Sequence, residues 1–232
     1  MTKKNFESFM YIGNNKMLIC IFSKIDLKIL YKNEYKFSIS NNQIDEVMIV
    51  NFLSENIFKI ERLLNQFITD VNLIIDNDKF QLINLSTKKN IYGEITKKHQ
   101  IKILNDLKNY ILNNYLNYSI IHYLVNHYLF DNNIQKNFVF LKKCNHFCID
   151  TTFILLNKKD LFFYKKTFER FQISIEKIIY GKYILDHFQT NEFNECQMGQ
   201  KILSGHNPNE VIFVKKSVEK KGFFERFFHF FN

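Results

Sequence analysis

Phe9-Met10-Tyr11-Ile12-Gly13-Asn14-Asn15-Lys16-Met17-Leu18-Ile19-Cys20-Ile21-Phe22 is the stretch that decides the fold. Two runs of apolar, β-branched and aromatic residues flank a Gly-Asn-Asn break, which reads as strand, tight turn, strand. Phe9 to Ile12 and Lys16 to Phe22 make the first pair. Leu27 to Tyr31 and Tyr35 to Ile39 continue it as an antiparallel meander. Asn51 to Thr69 then carries Phe52, Leu53, Ile57, Ile60, Leu64, Phe67 and Ile68 at helical spacing, with polar residues opposite.

Further along, a strand at Val71 to Ile75 meets Asn77-Asp78, which reads as a hairpin turn into Phe80 to Leu85. Thr96 is a good N-cap for an amphipathic helix bearing Ile101, Leu104, Leu107, Ile111 and Leu112. Tyr118 to Val125 and Phe147 to Leu156 read as strands, separated by a polar loop with a shorter strand at Phe138 to Leu141. Asn157 caps a helix running to Phe171, and Asp160 meets its dipole. Ile173 to Ile179 is a strand and Tyr180 to Phe188 a short helix. Periodicity fades between Gln189 and Lys221, where Gly199, Gly205 and Pro208 fall, so this stretch reads as a linker.

The chain closes on Gly222-Phe223-Phe224-Glu225-Arg226-Phe227-Phe228-His229-Phe230-Phe231-Asn232, directly behind Lys220 and Lys221. Wound as a helix, Glu225, Arg226 and His229 share one face, while Phe223, Phe224, Phe227, Phe228, Phe230 and Phe231 cover the rest. An aromatic face flanked by lysines, too short to span a bilayer, describes a helix lying in a membrane surface. The alternative is a terminal helix docked on the core.

The 232 residues, 46% hydrophobic, can bury one substantial core or two small ones sharing an interface. A net charge of +9 suits an acidic partner, either anionic lipid or nucleic acid. Only Arg62, Arg170 and Arg226 supply guanidinium groups, and no aromatic platform interleaved with Arg occurs, so nucleic acid is not expected. Cys20, Cys144, Cys148 and Cys196 are scattered and no apolar leader opens the chain, which points to reducing cytosol. Cys144, His146 and Cys148 alternate as strand neighbours do, but the spacing matches no common zinc pattern; no metal is expected.

Four stretches, in order, carry a resemblance. Gly93-Glu94-Ile95-Thr96 opens a helix; Ile120-Ile121-His122-Tyr123-Leu124-Val125-Asn126-His127-Tyr128-Leu129-Phe130-Asp131 follows; then Thr167-Phe168-Glu169-Arg170-Phe171 leads to Ile175-Glu176-Lys177-Ile178-Ile179-Tyr180-Gly181; and Gly222 to Phe227 closes the set. Together they resemble the bacterial actin-like cell-division protein FtsA. The resemblance implies an α+β fold: half of an actin-like (ribonuclease H-like) domain at residues 8 to 70 and 178 to 188, interrupted by a strand-helix-strand-strand subdomain at 71 to 177. A linker at 189 to 221 and a membrane-targeting helix at 222 to 232 complete the expected plan. The family would continue into the second half of the actin fold, where FtsZ docks, so other division proteins are the expected partners, with self-association.

Actin-like ATPases need an acidic Asp-x-Gly hairpin near the N-terminus, because the carboxylate positions metal and water while glycine lets backbone amides reach the phosphates. Here the matching stretch is a degenerate phosphate loop of Tyr11, Gly13, Asn14 and Lys16, with Tyr11 where the aspartate belongs. No nucleophile-base pair or P-loop replaces it, and His122 and His127 read as core or edge residues. These residues imply a non-enzyme without cofactor, and the resemblance implies a division adaptor held peripherally at the cytoplasmic face of an anionic membrane. A pilus-assembly adaptor of the same superfamily and a basic nucleic-acid-binding protein are the competing readings.

Overall fold

The computed structural model describes residues 4–38, 45–189 and 192–212. The first sheet begins with β1 (Phe6–Gly13), β2 (Lys16–Ser23) and β3 (Ile29–Lys36), paired antiparallel in sequence order. Every residue of Met17–Ser23 is buried, a continuous apolar run that fits only a strand covered on both faces. After α1 (Glu46–Leu64), β4 (Asp70–Asp76) lies parallel to β1, and β9 (Ser174–Tyr180) lies parallel to β4. The strand order is β3-β2-β1-β4-β9.

Two crossovers build the parallel part: α1 leads from β3 to β4, and α3 (Lys158–Glu169) leads into β9. Both move across the sheet in the same direction, and right-handed connections therefore place both helices on one face. Asp45 caps α1 by accepting from the Met48 amide at 2.8 Å, and Asn65 ends it in the left-handed region at φ 50°. Asn56, fully buried in α1, accepts from Tyr31 and Asn33 of β3 at 2.7 Å each, which pins the helix to the sheet edge. The other face is covered by α4 (Gly181–Phe188) and α5 (Glu195–Leu203), which touch each other.

Between β4 and α3 the chain builds a second, antiparallel sheet from β5 (Phe80–Glu94), β6 (Tyr118–Phe130), β7 (Asn133–Gln135) and β8 (Lys143–Asn157). Its order is β10-β6-β8-β5, with β7 beside β6 and the last strand, β10 (Glu210–Ile212), returning from the far side of α5. A single helix, α2 (Lys97–Asn114), covers one face: Ile103, Leu104, Leu107 and Ile111 pack over Tyr123, Tyr128, Phe130, Phe147 and Phe153. The roots of this sheet join the first core through Phe80, Ile121, Ile154 and Leu156, and the Phe80 ring sits 4.6 Å from that of Tyr180.

Several expectations are corrected. β4 and β9 are paired members of the first sheet, and α3 packs on β9, so the interruption is confined to Phe80–Asn157 where the sequence suggested 71 to 177. Asn77-Asp78 is no hairpin turn: β4 and β5 enter different sheets. Residues 29–36 form one strand rather than parts of two, and Phe138–Leu141 lies in a loop, the short strand being β7. The linker reading of 189 to 221 fails over its described part. There α5 buries Cys196, Met198 and Ile202, and β10 pairs with β6. The remainder of that segment and the Phe-rich stretch 222 to 232 lie outside the described residues.

Candidate functional site

The loops that follow β1, β4 and β9 gather at the carboxyl ends of the parallel strands, where open α/β sheets bind ligands. Tyr11 and Gly13 lie on β1, Asn14 is in the turn, and Lys16 opens β2. Tyr11 is buried, and its hydroxyl donates to the Asp76 carboxylate at 2.9 Å. Burial, then the Asp76 charge, pushes the phenol far above its ordinary pKa, so it stays a donor. Burial likewise raises the Asp76 carboxyl, with the Tyr11 hydrogen bond pulling the other way.

Gly13 has a local reason to be glycine. A Cβ there would stand 2.2 Å from the Tyr11 hydroxyl and 2.5 Å from Cζ, so the glycine makes room for the ring. Gly181, first residue of α4, would place a Cβ 2.4 Å from Asp76 Cβ and 2.8 Å from its Cα. Asp76 is thus covered by a phenol on one side and a helix start on the other. Lys16 reaches Glu195 of α5 at 2.8 Å and Glu34 of β3 at 3.9 Å, and its ammonium lies 5.9 Å from the Tyr11 ring. The sequence-predicted loop residues are brought together, but their polar groups are turned onto protein partners.

Sequence reasoning missed Asp76, Gly181 and Glu195. Only the position of Asp76 at a strand end could have pointed to it. It also missed a second constellation, where the two sheets meet. His122 is fully buried; its Nε2 accepts from the Tyr180 amide at 3.4 Å, and its Nδ1 lies 3.2 Å from Glu210 Oε1. Neither of those facing atoms has a hydrogen-bond partner. Tyr183 donates to Glu210 Oε2 at 2.8 Å and accepts from Asn207 at 2.8 Å. Burial lowers His122 to about 3 and raises Glu210 to about 7, so at neutral pH the histidine is uncharged beside a half-protonated carboxyl. His122 is a core residue, as read from sequence. His127 instead pairs with Asp150 at 2.5 Å on the partly exposed face of the second sheet.

Cys144, His146 and Cys148 do not converge. A register shift near Tyr92 and Gly93 turns Cys144 into the core under α2, while His146 faces Asn90 at 2.9 Å and Cys148 meets Ser86 at 3.1 Å. No group of three metal-ligating side chains occurs among the described residues. Nor, among them, is any helix long and apolar enough to cross a membrane.

A five-stranded sheet in the order 3-2-1-4-5, with only the second strand reversed and helices on both faces, is a ribonuclease H-like arrangement, the fold expected from sequence for half of an actin-like domain. No protein-family model and no curated protein matches the sequence. Among solved structures, the chain is similar to one from the PilM-PilN type IV pilus biogenesis complex (6% identity, TM-score 0.48, covering 78% of this chain and 49% of that one). A second is the cytoplasmic domain of EpsL, an inner-membrane component of the Vibrio cholerae type II secretion system (8% identity, TM-score 0.40, 77% and 58% covered). A third is a Bacteroides thetaiotaomicron protein with actin-like ATPase fold and unknown function (14% identity, TM-score 0.35, 80% and 56% covered). The chain spans about half the length of these structures.

Proposed function

We propose that this chain is an actin-fold adaptor of the FtsA kind that has given up nucleotide chemistry. The observation that carries the reading is the closure of the phosphate-turn region: Tyr11 bonds Asp76, Gly13 accommodates the ring, and Lys16 pairs with Glu195. A nucleotide there would have to break a half-buried phenol-carboxylate bond and an ion pair before meeting any phosphate-binding group. On this reading the second sheet serves protein partners of the division machinery. The segment Gly222 to Asn232 holds the protein peripherally on the cytoplasmic face of an anionic membrane.

Titration with a fluorescent ATP analogue and Mg2+ tests the first half: no saturable binding is expected, and micromolar saturable binding overturns it. Co-sedimentation with anionic vesicles tests the second. The wild type pellets with anionic lipid and weakens with salt, whereas Phe227→Asp with Phe228→Asp stays in solution or is left with weak residual binding. Equal pelleting of the two proteins would make the segment a docked helix.

A further inference from the structure

Lys136-Asn137-Phe138-Val139-Phe140-Leu141-Lys142-Lys143 connects β7 to β8 at the end of the second sheet farthest from the first. Phe138 turns inward, its ring 5.5 Å from that of Tyr128 and 5.9 Å from that of Phe147. The next three residues do the opposite: Val139 is 39%, Phe140 59% and Leu141 65% exposed. Water would ordinarily drive such a loop to fold inward. It is held out by two backbone hydrogen bonds, Leu141 N–H to Ile95 O and Ile95 N–H to Lys142 O, each 3.0 Å. Leu141 also sits at φ 55°, a left-handed conformation that leucine rarely adopts. The apolar apex is preset.

Its surroundings are basic. The loop holds Lys136, Lys142 and Lys143 and no acidic residue, and Lys97 and Lys98 are exposed at the start of α2, next to Ile95. Of the nearby carboxylates, Glu94 lies opposite Lys143 in the β5–β8 register, and Asp131 accepts from the Asn145 and His146 amides at 3.0 and 2.9 Å. Apolar tips in front of lysines match the layering of an anionic bilayer, where acyl chains lie beneath phosphates.

We propose that the Lys136–Lys143 loop is a second membrane contact, seating Phe140 and Leu141 in the interface of an anionic bilayer with the lysines on its headgroups. The inference builds on the membrane-adaptor reading above but uses residues remote in sequence from the Phe-rich segment. Both contacts can reach one surface. Asn209 donates to Lys136 O at 2.9 Å, and β10 then runs back along β6 to place Ile212 opposite His122. From His122 to Phe130 is roughly 27 Å of strand, and the steps from Ile212 to Phe223 span up to roughly 36 Å when extended.

The chain has no tryptophan, so Phe140→Trp gives a single fluorescent reporter in the full chain. Its emission should shift to the blue on vesicles of phosphatidylcholine mixed with phosphatidylglycerol, but not on phosphatidylcholine alone. The shift should persist, at higher lipid, when Phe227→Asp and Phe228→Asp are added. Phe140→Ser with Leu141→Asn, the asparagine tolerating the left-handed backbone, should weaken vesicle binding by about tenfold with an unchanged circular dichroism spectrum. Emission that stays at the solvent position while the protein pellets with vesicles overturns the loop contact and spares the adaptor reading. Emission already blue without lipid, and reverting in the Phe227/Phe228 variant, makes the chain's own Phe-rich segment the occupant and overturns it equally. Failure of the unmodified protein to pellet at all removes both readings together.

Discussion

The two sheets solve burial differently. In the first, helices on both faces let β1 and β2 run apolar without alternation; in the second, β5 alternates between half-buried and exposed residues because α2 covers one face only. The same chain therefore contains a closed body and an open-faced one, joined where Phe80, Ile121 and His122 meet Tyr180 and Tyr183. The closed body spans the carboxyl ends of β1 and β4 with the Tyr11–Asp76 bond, and the open body keeps the exposed face.

The sharpest test of this contrast is Phe168, fully buried in α3 against the first core, beside Phe162, which is 62% exposed on the same helix. Phe168→Ala should cost about 3–5 kcal/mol by denaturant unfolding, and Phe162→Ala under about 0.5 kcal/mol. Similar losses would mean that α3 packs differently from the arrangement described, in which Phe168 and Tyr164, but not Phe162, face inward.

Next in size is a pH effect at the junction. Between pH 4.5 and 6.5 the unfolded chain protonates His122 while the folded one does not, which makes stability rise with pH. Over the same window folded Glu210, raised from 4.5 to about 7, keeps a proton that the unfolded chain loses, which makes stability fall as pH rises. The two slopes oppose each other and their joint contribution is flat. Glu210→Gln removes the falling one, so the variant should gain on the order of 2 kcal/mol relative to wild type from pH 4.5 to 6.5. Parallel pH profiles for the two proteins would show that the pair is not buried as a unit.

Tyr11→Phe probes the bonded edge. It leaves Asp76 without its phenol donor and should cost about 1–3 kcal/mol. A neutral result would mean that water replaces the hydroxyl and the edge is more open than Gly13 and Gly181 suggest. The smallest effect belongs to the open body. Thr96→Ala removes half of the capping box that Thr96 shares with His99 at the start of α2, at about 1 kcal/mol.

Long periodic elements were legible in the sequence for physical reasons. α1 and α2 show apolar stripes, and β2 an unbroken hydrophobic run. α5 was not legible, because it packs with small and polar residues. Gly199 lets the helix approach Ile74, which would lie 2.5 Å from an added Cβ, and Gln200 is buried although polar. The signal present was the Asn194–Gln197 capping box, overlooked beside two glycines and a proline. The turn at Asn77-Asp78 misled for the opposite reason. Its local chemistry suits a hairpin, but which sheet a strand joins is settled by distant partners, here Ile154 for Leu82 and Tyr11 for Ile74. Of the site, Tyr11 and Gly13 were readable as a pair, whereas their counterpart Asp76 depended on β4 lying beside β1.

The return of the chain through β10 has a mechanical consequence. If the segment beyond Ile212 is held at a surface, any pull on it enters the fold at a strand of three residues, anchored by its pairing to β6 and the Tyr183–Glu210 bond. That short strand is the first fastening on the load path, with Asn209 on Lys136 just behind it. Its release would free the stretch from Ser204 to Ile212, whose extended length is at most roughly 28 Å, before α5 and the first core felt the force. An optical trap pulling on the C-terminus should register that step as a first, low-force extension, and Tyr183→Phe should lower the force at which it occurs.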